Sequence, residues 1–435
     1  MKINVIGAGL AGTEASYQLA KRGYEVNLYD IKPNHFTDAH TDKNFGELVC
    51  SNSLKSSELT NACGLLKKEM ELLDSLFIKS ANANSLPAGT ALAVDREGFA
   101  KFITDEIKSN SNIHFTSKEI TNIDLNEPTI IATGPLTTPA LAGFLQKIFN
   151  EKYLSFYDAV APIISLDSID MTKAFIADRY EKGNGDYINC GLNKEEYYTF
   201  VNELVKADCV VLKSFETGDV FEGCMPVEVL AKRDLNALRF GPMKPIGIKH
   251  PVTNEKYYAV LQLRRDNQQN TLYNMVGFQT NLTFGEQKRV FRLIPALENA
   301  EFVRFGVMHK NTFINAPCLI NEFYQLKNYP NIFIAGQLSG VEGYVESASS
   351  GLMCGINMDK FLKGESLIDF TSKTAIGSLP NYISRANSKN FQPMNANYGI
   401  MDTVALDTKD KKVIRTEIAN RAIDIIKKYL ENQEI

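Results

Sequence analysis

Tryptophan is absent from the chain, and no stretch approaches the roughly 18 consecutive apolar residues of a membrane-crossing helix. Membrane spanning is therefore not expected. Seven cysteines occur without a CxxC pair or regular spacing, which speaks against a disulfide framework, a zinc site or a dithiol redox motif. No metal is expected, and a reducing cytoplasm is the expected setting. Charge of one sign is not in large excess either. A formal net charge of -4 argues against a generally basic, nucleic-acid-coating protein but leaves a local basic patch open. The run Ile3-Asn4-Val5-Ile6 passes straight into glycine, so no charged leader is expected before it.

What is present suits a folded protein of two units. At 435 residues and 44% apolar residues, the chain is too long for one ordinary core. KINVIGAG, LAGTEASYQLAKR and YEVNLYD read as strand, helix and strand, with Gly23 stopping the helix. This is a complete βαβ unit. From Lys32 to about Asn61 the chain is polar and suggests a long functional loop. One helix is predicted through Leu65, Leu66, Met70, Leu73 and Leu76. A second, capped by Asp95, would carry Phe99, Phe102, Ile103 and Ile107. PTIIATGP (128–135) and NIFIAGQLSG (331–340) look like buried strands delivered into glycine turns. Between them the pattern changes to short mixed strands. The expected division is residues 1–183 and 327–435 as a dinucleotide-binding unit and 184–326 as an inserted α+β unit. KVIRTEIANRAIDIIKKYLEN reads as a surface helix closing the first unit.

Gly7, Gly9 and Gly12 make GxGxxG between strand and helix. The backbone amides from Gly7 through Ala8, Gly9, Leu10 and Ala11 to Gly12 can face a pyrophosphate there without obstruction. Asp30 ends the next strand, where a carboxylate can accept from ribose hydroxyls. NAD and FAD share this fingerprint. The ATGP turn with Thr133 and Gly134, and FIAGQLSGVEGY with Gly336, Gly340 and Gly343, supply the second glycine-rich approach that extended FAD needs. The plainer alternative is that Gly340 and Gly343 only permit tight turns.

Cys224 lies in FEGCMPVEVLAKR, where Pro226 suits the first position of a helix and Glu228 its first turn. A helix dipole would lower the thiol's pKa from its ordinary value of about 8.5, while Glu222 and Glu228 would oppose that. Cys50 sits in the polar loop GELVCSNSLKS, an unusual place for a core residue. Cys63, Cys190, Cys209, Cys318 and Cys354 carry no such context and default to buried structural roles. His309 in RFGVMHKNTF could stack a ligand or satisfy core hydrogen bonds. Arg264, Arg265, Lys288, Arg289, Arg292, Arg304 and Lys310 make the insertion locally basic, as phosphate contacts or a solvated face would.

Taken together, GAGLAGTEA, LVCSNSLKS, LPAGTALAVDREGF, FEGCMPVEV, FGPMKPIG, VGFQTNLTFGEQKRVF, RFGVMHKNTFI, GYVESASSGL and QPMNANYGI resemble one family nearly end to end. It is that of the folate- and FAD-dependent RNA (uracil-5-)methyltransferases, TrmFO. The resemblance implies an FAD-binding Rossmann-type domain with an insertion. It also implies a reaction in which methylenetetrahydrofolate donates a carbon to C5 of an RNA uridine, reduced FAD completes the methyl group, and NADH or NADPH restores the flavin. By motif match, Cys224 is the implied nucleophile on uracil C6, and Cys50 the implied base or a support of the flavin site. His309 and Tyr344 become candidates for the folate and flavin cleft, and the basic residues of the insertion for RNA contact. The T-loop uridine of tRNA is the leading substrate and a 23S ribosomal RNA uridine the alternative. A flavin-containing RNA-binding or redox-sensing protein without methyl transfer is the reading from another class. The related flavin-dependent wobble-uridine modification protein ranks behind, being longer and lacking FEGCMPVEV.

Overall fold

The computed structural model describes residues 2–37, 39–149, 154–159, 161–181, 185–210, 225–432 and 435; for residues 154–159, 181, 309, 310 and 390 it describes the backbone alone. Five parallel strands form one sheet, in the order Ile332–Ile334, Thr129–Ile131, Lys2–Ile6, Glu25–Asp30, Ile113–Ser117. The two strands that lead into the glycine turns, Thr129–Ile131 and Ile332–Ile334, are buried at every residue. Short unbroken apolar runs are what a parallel sheet covered on both faces requires. The helix Leu10–Lys21 follows the first strand, and the long helix Tyr344–Lys363 packs closely on it. A Cβ on Gly351 would come within 2.1 Å of the Ala11 carbonyl oxygen, so this crossing needs glycine.

The single helix predicted from Leu65 to Leu76 is two, Ala62–Leu72 and Leu76–Ala83. Asp74 turns left-handed between them at φ 62°, and Ser75 caps the second. The cause lies far away in sequence. Glu14, buried in the first helix, accepts from Ser75 Oγ at 2.8 Å and from the Phe77 amide at 2.9 Å, holding the new N-terminus apart. The Asp95 cap forms as expected, its carboxylate accepting from the Gly98 amide at 2.6 Å. The C-terminal helix Lys411–Glu431 buries Ile418, Ala419, Ala422 and Ile426 and leaves most of its surface in water.

An antiparallel sheet forms a second layer: Ala174–Ile176, Tyr187–Leu192, Ala259–Arg265, Leu272–Met275, Ile163–Ser165, Phe302–Arg304. Its core runs from Ile164 to Phe302 in sequence. Strands Ile163–Ser165 and Ala174–Ile176 belong to it although they precede residue 184, where the pattern change was placed. The chain leaves the first unit along Leu154–Ala159 and returns along Met308–Phe313, and these two strands pair antiparallel. Among the described residues no helix is long and apolar enough to cross a membrane.

Candidate active site

A cleft of about 430 Å³ opens at the carboxyl ends of the parallel strands, where open α/β sheets present ligand sites. Gly7, Gly9, Leu10, Ala11 and Asp30 line one end, and Thr133, Gly134, Gly336, Gly343 and Tyr344 continue it. Gly7 has φ 104°, which lets the chain turn sharply out of the first strand. At Gly9 an added Cβ would meet no atom of the described residues within 4 Å, so among them the space over the helix N-terminus is open. No side chain caps that helix, leaving its first amides facing the cleft. Asp30 accepts from the Ala8 amide at 2.7 Å and the Lys32 amide at 2.8 Å. Each carboxylate oxygen keeps a lone pair for a further donor.

Three of the expected cofactor residues act at one remove. Ala8, Gly12 and Gly340 do not line the cleft. A Cβ on Gly12 would come within 1.7 Å of the Gly7 oxygen, so Gly12 permits helix and turn to close on each other. Gly340, at φ 93°, gives way to the ring of Phe391 and belongs to the turn rather than the ligand surface.

The far end of the cleft is built around the helix Tyr344–Lys363, capped only by Gly343 at φ 119°. Glu346, with a fully buried side chain, pairs through Oε1 with Lys55 Nζ at 3.0 Å. Its Oε2 has no hydrogen-bond partner among the described residues, whereas Oε2 of Glu47, also on the cleft, is ion-paired with Lys32 Nζ at 3.6 Å. A buried acceptor without a donor points to a ligand that supplies one. An extended FAD fits these features: an adenosine end at Asp30, a pyrophosphate over Gly9, and a polar ring edge near the second helix N-terminus.

Cys50 lines the same cleft, half-buried. The Tyr344 hydroxyl accepts from the amides of Cys50 at 2.5 Å and Ser51 at 3.1 Å. Burial raises the Tyr344 pKa, so its hydroxyl stays protonated. Arg96 donates to the carbonyls of Leu48 at 2.7 Å and Cys50 at 3.2 Å and pairs with Asp266 of the insertion at 3.1 Å. Arg96 and Arg304 both interact electrostatically with Cys50, placing positive charge where a thiolate would need it.

Arg264 requires a correction. It is 6% exposed, not an RNA-facing cation. Its guanidinium donates to Asn52 Oδ1 at 3.0 Å and Ser51 Oγ at 2.8 Å, tying the Cys50 loop to the insertion. Arg265 is half-buried and bonds the carbonyls of Asn267 and Gln268. Lys288, Arg289 and Arg292 are exposed; Arg289 pairs with Glu203 and Glu286, and Arg292 donates to the Ala300 carbonyl.

Cys224 lies outside the described residues, and so does the side chain of His309, although its backbone forms part of the returning strand. Met225, bonded to Cys224, is buried, and the Val227 amide donates to the carbonyl of Gln279, which lines the cleft. Pro226 precedes the helix Val227–Arg233 as its N-cap instead of occupying its first turn. Glu228 accepts from Thr280 Oγ1 and the Asn281 amide, so its carboxylate braces the loop that precedes the helix Phe284–Phe291. Of the remaining cysteines, Cys63, Cys190 and Cys354 are buried, but Cys209 is half-buried and Cys318 exposed. Sequence reading missed Lys32, His40, Lys55, Asn311, Glu342 and Asn395 as cleft residues. The polar composition of 32–61 marked the loop but not which of its side chains turn inward.

The fold and cleft define a Rossmann-type flavoprotein with an inserted antiparallel unit. Residues 2–366 match the family described as glucose inhibited division protein A. The chain belongs to this family. Its relatives include proteins named methylenetetrahydrofolate--tRNA-(uracil-5-)-methyltransferase TrmFO. The one from Acetivibrio thermocellus is 55% identical over 98% of both chains. That from Bacillus subtilis is 54% identical over 98% of this chain and 97% of the relative. Among solved structures, Aquifex aeolicus GidA in its form II crystal has a TM-score of 0.67 at 14% identity, covering 98% of this chain and 73% of that one. At that identity the likeness is one of fold.

Proposed function

We propose that this protein forms 5-methyluridine in RNA, taking the one-carbon unit from methylenetetrahydrofolate, with the T-loop uridine of tRNA as target. The observation that carries the reading is Cys50 held beside a dinucleotide cleft by Tyr344 and Arg96, in a chain more than half identical to proteins named for this reaction. Those names favour tRNA over 23S ribosomal RNA.

Uracil C5 is a weak nucleophile until a group adds at C6. In this reading the Cys224 thiolate adds there, the C6–S bond forms, and electron density moves to C5, which bonds the methylene carbon as one of that carbon's two bonds to folate nitrogen breaks. The C5 proton must then leave to the Cys50 thiolate, and its electron pair forms the double bond to the methylene carbon as the second carbon–nitrogen bond breaks and tetrahydrofolate departs. Arg96 holds the Cys50 carbonyl, and the Tyr344 hydroxyl holds its amide. Loss of the C6–S bond returns the Cys224 thiolate. FAD, held along Gly7, Gly9, Leu10, Ala11, Asp30, Thr133, Gly134, Gly336 and Gly343, supplies the reducing equivalents that complete the methyl group, and NADH or NADPH restores them. Arg264 acts as a positioning residue through Ser51 and Asn52. Lys288, Arg289 and Arg292 are the residues proposed for RNA contact, and His309 is proposed for the folate cleft. We place the activity in the cytoplasm.

Incubation with an RNA hairpin carrying 5-fluorouridine at the target position tests the nucleophile, because fluorine at C5 cannot leave as a proton does. A covalent protein–RNA adduct, lost in Cys224→Ala, is expected. An adduct that persists in that variant would remove Cys224 from the role.

A further inference from the structure

We propose that Phe284, Phe305 and Phe302 form a stacking platform for a base of the RNA substrate next to the target uridine; this rests on the RNA-methylating reading above. Phe284 and Phe305 stack with centroids 4.6 Å apart and planes at 16°, and Phe305 continues onto Phe302 at 5.5 Å and 10°. Phe302 in turn meets Phe291, a fully buried ring of the insertion core. The ladder therefore has one end anchored in the core and the other in water. Phe284, its last ring, is 52% exposed.

Aromatic rings in cores commonly alternate stacked with edge-on packing. Within this same unit, Phe278 stacks on Phe200 at 22° and meets Phe291 edge-on at 65°. Three nearly parallel rings ending in an exposed face present the geometry that a planar base continues. Every nucleobase has a π face, so such a platform takes single-stranded RNA with little sequence preference.

Charge at the platform matches that partner. Lys288 Nζ lies 5.4 Å from the centre of Phe305, and Arg292 follows at the C-terminal end of the same helix, Phe284–Phe291. The neighbouring carboxylates Glu286 and Glu203 are both paired with Arg289. Phosphates flanking a stacked base would meet cations here.

Position ties the platform to the reaction. The segment that contains Cys224 leaves the described structure at Val210, whose amide donates to the Asn281 carbonyl at 2.9 Å, and re-enters at Met225, two residues before the Val227 amide bonded to Gln279. Both ends are thus fastened to residues 279–281, immediately before Phe284. One turn into the helix, Gln287 bonds both the carbonyl and the amide of Gly306, and the chain runs from there into the returning strand Met308–Phe313 on the cleft. A base stacked on Phe284 would thus lie near residues 279–281, to which Val210 and Val227 are bonded.

The test uses the FAD-loaded, full-length protein and a T-arm hairpin carrying 2-aminopurine next to the target uridine. Wild type should quench the 2-aminopurine on binding. Phe284→Ala should abolish the quenching and weaken binding roughly five- to hundredfold, the range for losing one base–aromatic stack. Phe284→Trp should restore both, and Lys288→Ala should flatten the salt dependence of binding. An unchanged melting temperature will show that Phe284→Ala is folded, since the side chain is half in water. Full binding and quenching by Phe284→Ala would overturn the inference alone. A change of oligomeric state in that variant with RNA binding intact would also overturn it, by making the ladder a contact between copies. Wild type that binds no hairpin at all would overturn both the platform and the RNA-methylating reading.

Discussion

Gly9 and Gly12 stand three residues apart in one motif and differ in what a methyl group would meet. At Gly12 it would strike the Gly7 oxygen, and at Gly9 it would enter open cleft. Gly12→Ala should therefore destabilise the fold by about 1–3 kcal/mol as well as losing cofactor. Gly9→Ala should melt within a degree or two of the cofactor-free wild type yet retain little FAD by absorbance. A Gly9→Ala protein that keeps a full complement of flavin would contradict the cradle. His40 offers a pH test of the same cleft. Burial, followed by the charge of Lys32, holds its imidazole below the ordinary value of 6.5. As pH falls below 6.5 the unfolded chain takes up a proton that the folded chain refuses, so stability present at neutral pH is lost on acidification. The melting temperature of wild type should drop more steeply between pH 6.5 and about pH 5 than that of His40→Gln. Equal slopes would show that His40 is not the group concerned.

The elements around the site were legible in the sequence where the cause was local. The βαβ unit, the Asp95 cap and the two glycine turns each rest on residues within one short window, and all stand in the structure. The break between Ala62–Leu72 and Leu76–Ala83 was not legible, because the carboxylate that enforces it, Glu14, sits in another helix. The strands Ile163–Ser165 and Ala174–Ile176 are only three residues long, too short to show a period. The crossing of Leu10–Lys21 with Tyr344–Lys363 depends on a single missing side chain. Gly351→Ala should push these helices apart at the Ala11 carbonyl and lower stability by about 1–3 kcal/mol, measured by denaturant melting. A neutral result would mean that the crossing relaxes without cost.

For the molecule as a whole, the two units meet across the loop that carries Cys50. Arg264 holds Ser51 and Asn52, Asn52 Nδ2 donates to the Arg265 carbonyl, and Arg96 reaches from the Cys50 carbonyl to Asp266. Read from sequence, Arg264 was one more cation in a basic run; its burial depends on sheet pairing that no local pattern encodes. Arg264→Gln should lower kcat about tenfold or more, as loss of hydrogen bonds from a buried charge would, while RNA affinity stays within about twofold. Loss of RNA affinity with kcat unchanged would return Arg264 to the RNA surface. The source of the methyl carbon tests the central claim most directly. Wild-type protein supplied with NADPH, labelled methylenetetrahydrofolate and unmodified tRNA should place the label in 5-methyluridine of the T-loop. Label arriving from S-adenosylmethionine instead, with none from the folate, would contradict the account.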